Sequence, residues 1–475
     1  MHNIHTFFGN RRYIFFTLFI YTVFVASFIQ LILLPYYFPS WSNQYGLLLY
    51  TDSIEYHDLI TSLANKINTS GWHEWQLRPK DNGHFIVGLS AIFYVLIYPE
   101  PWSMIPLNAL VHVLSVIMLY KIALLFSDKH YVALLSTVPY MFFPSASFWF
   151  SQLLKDGYYN FGVIMFCYGW MYIVYFDKDH LKKISNILIG PFFIISGYLL
   201  MVFIRPFSFS LLKIEAFLII ISASIMLLFF VMNRTVNWQY YIKVLFIFIA
   251  VTFLMLKIQH YSINSGLVSQ DQAQLTYIQP IMGDDGKQYF GNSDITELNW
   301  ESSNWIPKYI DTKFSLVSGM RKATIDNHVE HKHNKSMIDI DILFKNATEI
   351  INYFPRAIQI AFFSPFPKNW LKEGSTESTT LMRKLVIFEM LLIYILFLFI
   401  PIAFFYWRNR VEFWIPIIFC GSVMTLYATA VPNIGAIYRY RYPYLMILIT
   451  ILIVSACNFI YRRVKLNNSK NIIHD

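Results

Sequence analysis

The residue types best able to do chemistry in this chain are acids and bases that lie between long apolar segments. They are Asp52, Lys155 with Asp156, Arg205, and Arg439 with Arg441. A carboxylate near neutral pH accepts a proton or binds a divalent cation. Lys and Arg bind phosphate, and the planar guanidinium of Arg does so through two hydrogen bonds. Gathered in one place, these residues suit a reaction at a phosphate group.

The first candidate, Asp52, begins a segment with helical spacing. The apolar positions of that segment predict a helix along the membrane surface; they are Ile54, Leu59, Leu63 and Ile67. Asp52 is therefore the candidate general base or metal ligand, and Glu55 is the second candidate catalytic acid. A structural alternative is that Asp52 and Glu55 form a capping box at the start of this helix.

Two further segments offer cations for a phosphate. Lys155 and Asp156 lie at the start of an apolar segment, where the N-terminus of a helix favours anions. The alternative for Lys155-Asp156 is an interfacial ion pair that contributes little. Arg78 lies in the turn-rich segment Leu77 to His84, which brings basic groups to the surface. The alternative for Arg78 is an ordinary solvated loop.

Three further arginines lie on the side of the membrane where basic residues are rare. Arg205 follows one apolar segment, and Arg439 and Arg441 precede another. One interpretation is that these arginines extend toward lipid headgroups, with tyrosines forming an aromatic belt. The other is that Arg439 or Arg441 holds a phosphate through two hydrogen bonds.

The elements that must position these residues are membrane helices. With 56% hydrophobic residues and a mean hydropathy of +0.46, the chain is too apolar for an ordinary soluble domain. We expect an all-α polytopic membrane protein. Apolar windows of sufficient length predict about ten transmembrane helices: 13–34, 103–126, 131–150, 157–176, 184–204, 208–232, 240–258, 382–406, 412–430 and 442–461. The shorter run His84 to Tyr98 predicts a re-entrant or interfacial helix.

Charge and cysteine content exclude other classes of protein. The net charge of +9 comes from residues spread over short loops and the C-terminal tail. Without a basic stripe, we expect no nucleic-acid binding. The three cysteines, Cys167, Cys420 and Cys457, lie in apolar runs and do not suggest a disulfide framework or a zinc site.

The topology follows from the basic loops. Ten crossings with Arg11 and Arg12 inside leave most other loop cations inside as well; these are Lys121, Lys129, Lys178, Lys182, Lys183, Arg234, Arg408, Arg410, Arg462, Arg463 and Lys465. The candidate residues then all lie outside, where the two long regions are a first loop over 35–102 and a polar segment over 259–381. This predicts an N-terminal module (1–258), an extracytoplasmic subdomain (259–381) with a helical run from about Lys313 to Phe344, and C-terminal helices (382–475).

In this order, the features resemble the GT-C superfamily of integral membrane glycosyltransferases, in particular bacterial members similar to protein mannosyltransferases and aminoarabinose transferases of envelope polysaccharide synthesis. The similar features are Asp52 after the first span, the surface helix, the short helix after Arg78-Pro79, the outer Lys155-Asp156, and Arg439-x-Arg441-x-Pro443.

The resemblance implies transfer of a sugar from a polyprenyl-phosphate-linked donor to a glycan, lipid or protein acceptor. The active site would face the periplasm of a bacterial inner membrane. Asp52 would act as base or hold a divalent metal ion, the one cofactor that we consider. Lys155, Arg205, Arg439 and Arg441 would hold the phosphate leaving group.

Two alternatives remain open at this point. A transporter or flippase for a lipid-linked saccharide also needs many spans and outer charges, although such proteins place ionisable groups near mid-membrane. A polysaccharide polymerase or ligase would use the same chemistry on a different donor and acceptor.

Overall fold

A computed structural model of the protein describes residues 11–49, 51–79, 84–175, 184–233, 236–265, 281–282, 288–290, 296–298, 300–330, 334–374 and 376–471. The helices are α1 (Arg11–Phe28, continued as a π-helix over Ile29–Tyr37), α2 (Asp52–Ser70), α3 (Phe85–Leu96), α4 (Ile105–Leu124), α5 (His130–Ser136), α6 (Val138–Phe142), α7 (Pro144–Phe150), α8 (Asp156–Val174), α9 (Ile184–Ile204), α10 (Ser208–Met232), α11 (Trp238–Asn264), α12 (Lys308–Glu330), α13 (Ala347–Phe363), α14 (Pro367–Trp370), α15 (Glu377–Phe397), α16 (Ile400–Trp407), α17 (Val411–Ala430) and α18 (Ile434–Asn471). Short 3-10 turns lie at Pro39–Trp41, Trp72–Glu74, Pro101–Met104 and Asn334–Ser336.

The protein is an all-α polytopic membrane protein. Among the described residues, seven helices are long and apolar enough to cross a membrane, and the bent pair α15 and α16 raises this number to eight. The short apolar helix predicted after His84 is confirmed as α3. The loop cations Lys178, Lys182, Lys183 and Arg234, on which part of the predicted topology rests, lie outside the described residues.

Two of the ten predicted spans are not among these helices. The segment 131–150 was wrongly predicted as one span, because it consists of the three short helices α5, α6 and α7. Pro139 and Pro144 lie in the first turns of α6 and α7, and a proline disfavours a continuous helix through the preceding residue. The other segment, α8, is a helix of 19 residues with nearly all of them buried. Most of its polar and small residues therefore face protein, which explains why its composition is less apolar than that of a span exposed to lipid; the buried ones are Tyr158, Tyr159, Asn160, Gly162, Tyr168 and Gly169.

The chain divides into two compact units that are discontinuous in sequence. The first contains residues 1–205, 391–414 and 446–475, and the second contains 206–390 and 415–445. By contrast, each of the three modules predicted from the sequence (1–258, 259–381 and 382–475) is one continuous stretch of chain.

Glycines set the closest helix pair of the first unit. Gly162 of α8 faces Gly197 of α9, and Gly169 faces Gly190, so the two helices run antiparallel. A Cβ atom at Gly197 would lie 2.6 Å from the backbone oxygen of Gly162 and 2.6 Å from the backbone nitrogen of Phe166. Only a residue without a side chain allows this approach of two backbones. Helix α8 also packs on α4, which packs on α1, and α2 packs on α3.

In the second unit, α10 packs on α11, and α12 packs on α13 and on a small antiparallel sheet. The sheet has strands β1 (Ile281–Met282), β2 (Gln288–Phe290) and β3 (Thr296–Leu298). The predicted helical run over 313–344 is only partly correct. The helix α12 ends at Glu330, and residues 337–345 form no helix.

One arginine holds the non-helical segment in the second unit. The guanidinium of Arg321 is fully buried and donates to the carbonyls of Ile342 (2.7 Å), Asp339 (2.6 Å) and Thr429 (3.1 Å). The Asp339 carboxylate in turn accepts from Arg356 (2.9 Å) and Tyr353 (2.9 Å). These hydrogen bonds outweigh the effect of burial and lower the pKa of Asp339. Arg321 thus supplies hydrogen bonds to main-chain carbonyls in place of the bonds of a helix or a sheet.

Candidate functional site

The start of α2 carries the first candidate acid. Thr51 is the N-cap residue and Asp52 is the first helical residue. The Thr51 hydroxyl donates to the carbonyl of Leu48 at 2.8 Å and does not cap the first turn. The alternative of a capping box led by Asp52 is therefore wrong. Asp52 is half-buried, whereas Glu55 is exposed one turn further along. A carboxylate in the first turn interacts favourably with the helix dipole.

Gln152 connects the segments that lead to Asp52 and to Lys155. Its side-chain oxygen accepts from the backbone nitrogen of Leu48 at 2.8 Å, and its side-chain nitrogen donates to the carbonyl of Gly46 at 3.1 Å. Its own carbonyl accepts from Asn108 at 3.1 Å. Because Gln152 is buried and lies three residues before Lys155, it ties the start of α2 to the start of α8.

A close contact with α3 positions Arg78. The indole nitrogen of Trp75 donates to the carbonyl of Gly88 in α3 at 2.9 Å. A Cβ atom at Gly88 would lie 2.3 Å from the carbonyl oxygens of Gln76 and Leu77. The glycine thus lets the chain that carries Arg78 lie directly on α3.

His84, the N-cap residue of α3, lies where these segments meet. Burial, together with the nearby charges of Lys155 and Arg78, lowers the pKa of His84 to about 4, while Asp52 acts in the opposite direction. The imidazole is therefore neutral near pH 7. Burial also lowers the pKa of Arg78 to about 10, which leaves its guanidinium protonated at neutral pH. Asp52, Arg78 and Lys155 thus lie within electrostatic range of His84.

The ring of Tyr56 joins two members of this group, and the residue is only 2% exposed. The Nζ atom of Lys155 lies 5.4 Å from the centroid of the Tyr56 ring. The His84 ring centroid lies 5.1 Å from the same ring centroid, with an angle of 62° between the ring planes.

Beside Lys155, the first residue of α8 forms a buried ion pair with the residue that follows α9. The Nη2 atom of Arg205 lies 2.6 Å from Oδ1 of Asp156, and the two side chains are 7% and 3% exposed. The Arg205 guanidinium also lies 4.6 Å from the ring centroid of Tyr159. The pair is not the exposed interfacial pair considered for Lys155-Asp156, since Asp156 pairs with Arg205 inside the protein.

The C-terminal arginines belong to the second unit and differ in their surroundings. Arg441 is fully buried and donates to the carbonyls of Ala361 (2.6 Å), Ile360 (3.4 Å) and Ser364. These carbonyls end α13, where a helix leaves acceptors without partners and favours a cation. The geometry favours a structural role for Arg441. Arg439 is half-buried, and its guanidinium lies 5.6 Å from the Tyr440 ring centroid. Its role as a phosphate ligand stays a prediction.

No group of three or more His, Cys, Asp or Glu side chains within the described ranges could hold a metal ion. Mg²⁺ binds through one or two carboxylates together with substrate phosphates. A metal at Asp52 therefore remains a prediction that would require ligands from the substrate.

Sequence reasoning did not identify His84, Tyr56 or Gln152 as parts of the site. His84 had one available signal, its position directly before an apolar helix and within a turn that contains Arg78. Tyr56 resembles any apolar residue at helical spacing, and the long-range contacts of Gln152 leave no local pattern.

Comparison with known proteins gives limited information. No protein-family model and no curated protein sequence matches the chain. Two solved structures are similar: the apo oligosaccharyltransferase of Archaeoglobus fulgidus (TM-score 0.49, 14% identity) and the oligosaccharyltransferase AglB from the same organism with an inhibitory peptide and a dolichol-phosphate (TM-score 0.47, 12% identity). Each match covers 98% of this chain and 52% of the other, so this chain spans about half the length of those structures. At these TM-scores the similarity assigns no activity, and nothing in it points to the bacterial subtype.

Proposed function

We propose that the protein is a membrane glycosyltransferase that moves a sugar from a polyprenyl-phosphate-linked donor to a glycan, lipid or protein acceptor. The observation that carries this proposal is the cluster around Tyr56. The Lys155 Nζ atom and the His84 ring centroid lie 5.4 Å and 5.1 Å from the Tyr56 ring centroid. Asp52 and Arg78 lie within electrostatic range of His84. The cluster combines the carboxylate at the start of α2, the ammonium at the start of α8 and the guanidinium of the segment before α3, in a protein with several membrane helices.

The reaction is a single displacement at the anomeric carbon of the donor sugar. Asp52 accepts the proton of an acceptor hydroxyl, and the hydroxyl oxygen forms a bond to the anomeric carbon. The bond between that carbon and the phosphate oxygen breaks, and the polyprenyl phosphate leaves with the electron pair. Attack opposite to the leaving group inverts the configuration of the sugar.

The cations stabilise the charge that develops on the leaving phosphate. Lys155, at the N-terminus of α8, and Arg78 are the candidates for this role in the first unit. Arg439 of the second unit stays a separate, sequence-based prediction as a phosphate ligand. Preorganised cations in a site with restricted water lower the barrier more than they would in bulk water. Arg205 acts indirectly, because its guanidinium is committed to Asp156.

The proposal includes the location of the site. Arg11 and Arg12 precede the first membrane helix and Asp52 follows it, which supports a non-cytoplasmic position for Asp52, at the surface of a bacterial inner membrane. There, a lipid-linked donor in the outer leaflet and a soluble or lipid acceptor could meet without crossing the bilayer.

The test uses the full-length protein in lipid nanodiscs, with polyprenyl phosphate that carries a radiolabelled sugar. We expect labelled product on a glycan, lipid or peptide acceptor, with release of polyprenyl phosphate. Lys155→Met should raise the donor KM about tenfold, which corresponds to the loss of one charge-assisted phosphate contact of about 1.4 kcal/mol. Movement of the intact donor across proteoliposome membranes without release of its phosphate would contradict the proposal and favour a flippase.

A further inference from the structure

The ring of Tyr56 lies between the residues that begin two other helices. Tyr56 is in the second turn of α2, Lys155 is the N-cap residue of α8, and His84 is the N-cap residue of α3. Lys155 approaches the ring to 5.4 Å and His84 approaches it to 5.1 Å. One buried side chain therefore contacts both a predicted phosphate ligand and the neutral imidazole beside it.

We propose that Tyr56 is a positioning residue that holds the Lys155 ammonium, through a cation–π contact, in the place where it binds the phosphate of a prenyl phosphate. This inference rests on the proposed function for the identity of the ligand. Tyr56 itself touches neither the donor nor the acceptor.

The physical reason is the flexibility of lysine. A Lys side chain has a flexible four-carbon stem and loses rotamer entropy when it is fixed. An ammonium within about 6 Å of an aromatic centroid is attracted by the negative face of the ring. The 5.4 Å contact thus restricts the ammonium before ligand binds, and less entropy is lost on binding.

The ring is itself well fixed, so it can serve as a support. Tyr56 is 2% exposed and belongs to α2, which packs along α3. Its contact with His84 is nearly edge-to-face, at 62°. Such pairs are favourable in this geometry, and they hold the ring orientation.

The experiment measures binding of farnesyl phosphate to the full-length protein in nanodiscs, independently of sugar transfer. Tyr56→Leu should weaken the Kd about fivefold, which corresponds to about 1 kcal/mol for a cation–π contact. Tyr56→Phe keeps the ring and should bind within about twofold of the parent protein. The control is Tyr94→Leu in α3, which removes a tyrosine that is also 2% exposed but is hydrogen-bonded to His57; its Kd should not change.

A double-mutant cycle separates positioning from general loss of packing. In a Lys155→Met background, Tyr56→Leu should no longer affect the Kd, because the ring acts through the ammonium. Where Tyr56→Leu does not fold, Phe and trifluorophenylalanine at position 56 give a pair of similar shape. The fluorinated ring should bind about threefold more weakly, because it attracts a cation less.

Several results would overturn the inference. These are absence of farnesyl phosphate binding by the parent protein, an equal effect of Tyr56→Leu with and without Lys155, or equal binding by the two ring variants. Sugar transfer without this coupling would leave the proposed function intact and remove only the role of Tyr56. Coupled binding without any transfer would do the reverse.

Discussion

The buried pair of Asp156 and Arg205 gives the sharpest prediction about the structure around the site. The two charges are 2.6 Å apart, and their side chains are 3% and 7% exposed. Because water screens them little, removal of either partner leaves the other charge buried without compensation, at a cost of about 3–5 kcal/mol. We therefore expect Asp156→Asn and Arg205→Met each to lower the free energy of unfolding by about that amount.

The double variant distinguishes a true pair from two separate packing effects. With both charges replaced by neutral side chains of similar size, no buried charge is left alone, and the expected loss is about 1 kcal/mol. Unfolding is followed by titration of SDS into detergent micelles. The control is Asp326→Asn in the helix pair of Lys322 and Asp326, where the side chains are 21% and 40% exposed and the expected loss is about 0.5 kcal/mol. A double-variant loss equal to the sum of the single losses would refute the reasoning.

Three further predictions concern packing, pH and the C-terminal arginines. Gly197→Ala should lower the free energy of unfolding by about 1–3 kcal/mol, since its Cβ would meet backbone atoms of α8, whereas a Cβ at Gly157 meets nothing within 4 Å, and Gly157→Ala serves as the control; equal stability of the two variants would contradict this account of the helix pair. The unfolded chain binds a proton at His84 near pH 6.5, whereas the folded protein binds it only near pH 4. As the pH is lowered from 6.5 to 4, the parent protein should therefore lose stability, and His84→Gln should lose less. Thermal unfolding at pH 7 and pH 4.5 measures the difference, and equal losses in both proteins would disprove it. Arg441→Met should lower the free energy of unfolding by about 3 kcal/mol, because several buried carbonyls lose their donor. Arg439→Met should change the free energy of unfolding by no more than about 0.5 kcal/mol and should raise the donor KM. A large loss of stability in Arg439→Met would instead indicate a structural role for Arg439.

The helices of this fold were largely predictable from apolar windows, because a membrane span requires a long run of apolar residues. The predicted span 208–232 coincides with α10, and 412–430 differs from α17 by one residue. The segment 131–150 was not predictable by the same rule. Its composition is that of a span, but Pro139 and Pro144 divide it into short helices.

The site was predictable as a set of residue types and not as a set of contacts. Asp52, Lys155 and Arg78 stood out because charges are rare in such a chain. Their convergence on His84 depends on Gln152, whose hydrogen-bond partners lie 104 and 106 residues away in the sequence. Arg441 shows the converse: a charge pattern indicates a cation but does not reveal that its partners are main-chain carbonyls 77 to 81 residues distant.

The most direct test of the central claim compares two carboxylates on the same helix. Asp52 lies at the start of α2 beside His84, whereas Asp58 is exposed further along. The measurement is the rate of sugar transfer from a polyprenyl-phosphate-linked donor by the full-length protein in nanodiscs. We predict that Asp52→Asn lowers kcat by a factor of about 10²–10⁴, as for loss of a general base, and that Asp58→Asn stays within about twofold of the parent protein. Equal rates for the two variants would contradict the assignment of Asp52 as the base.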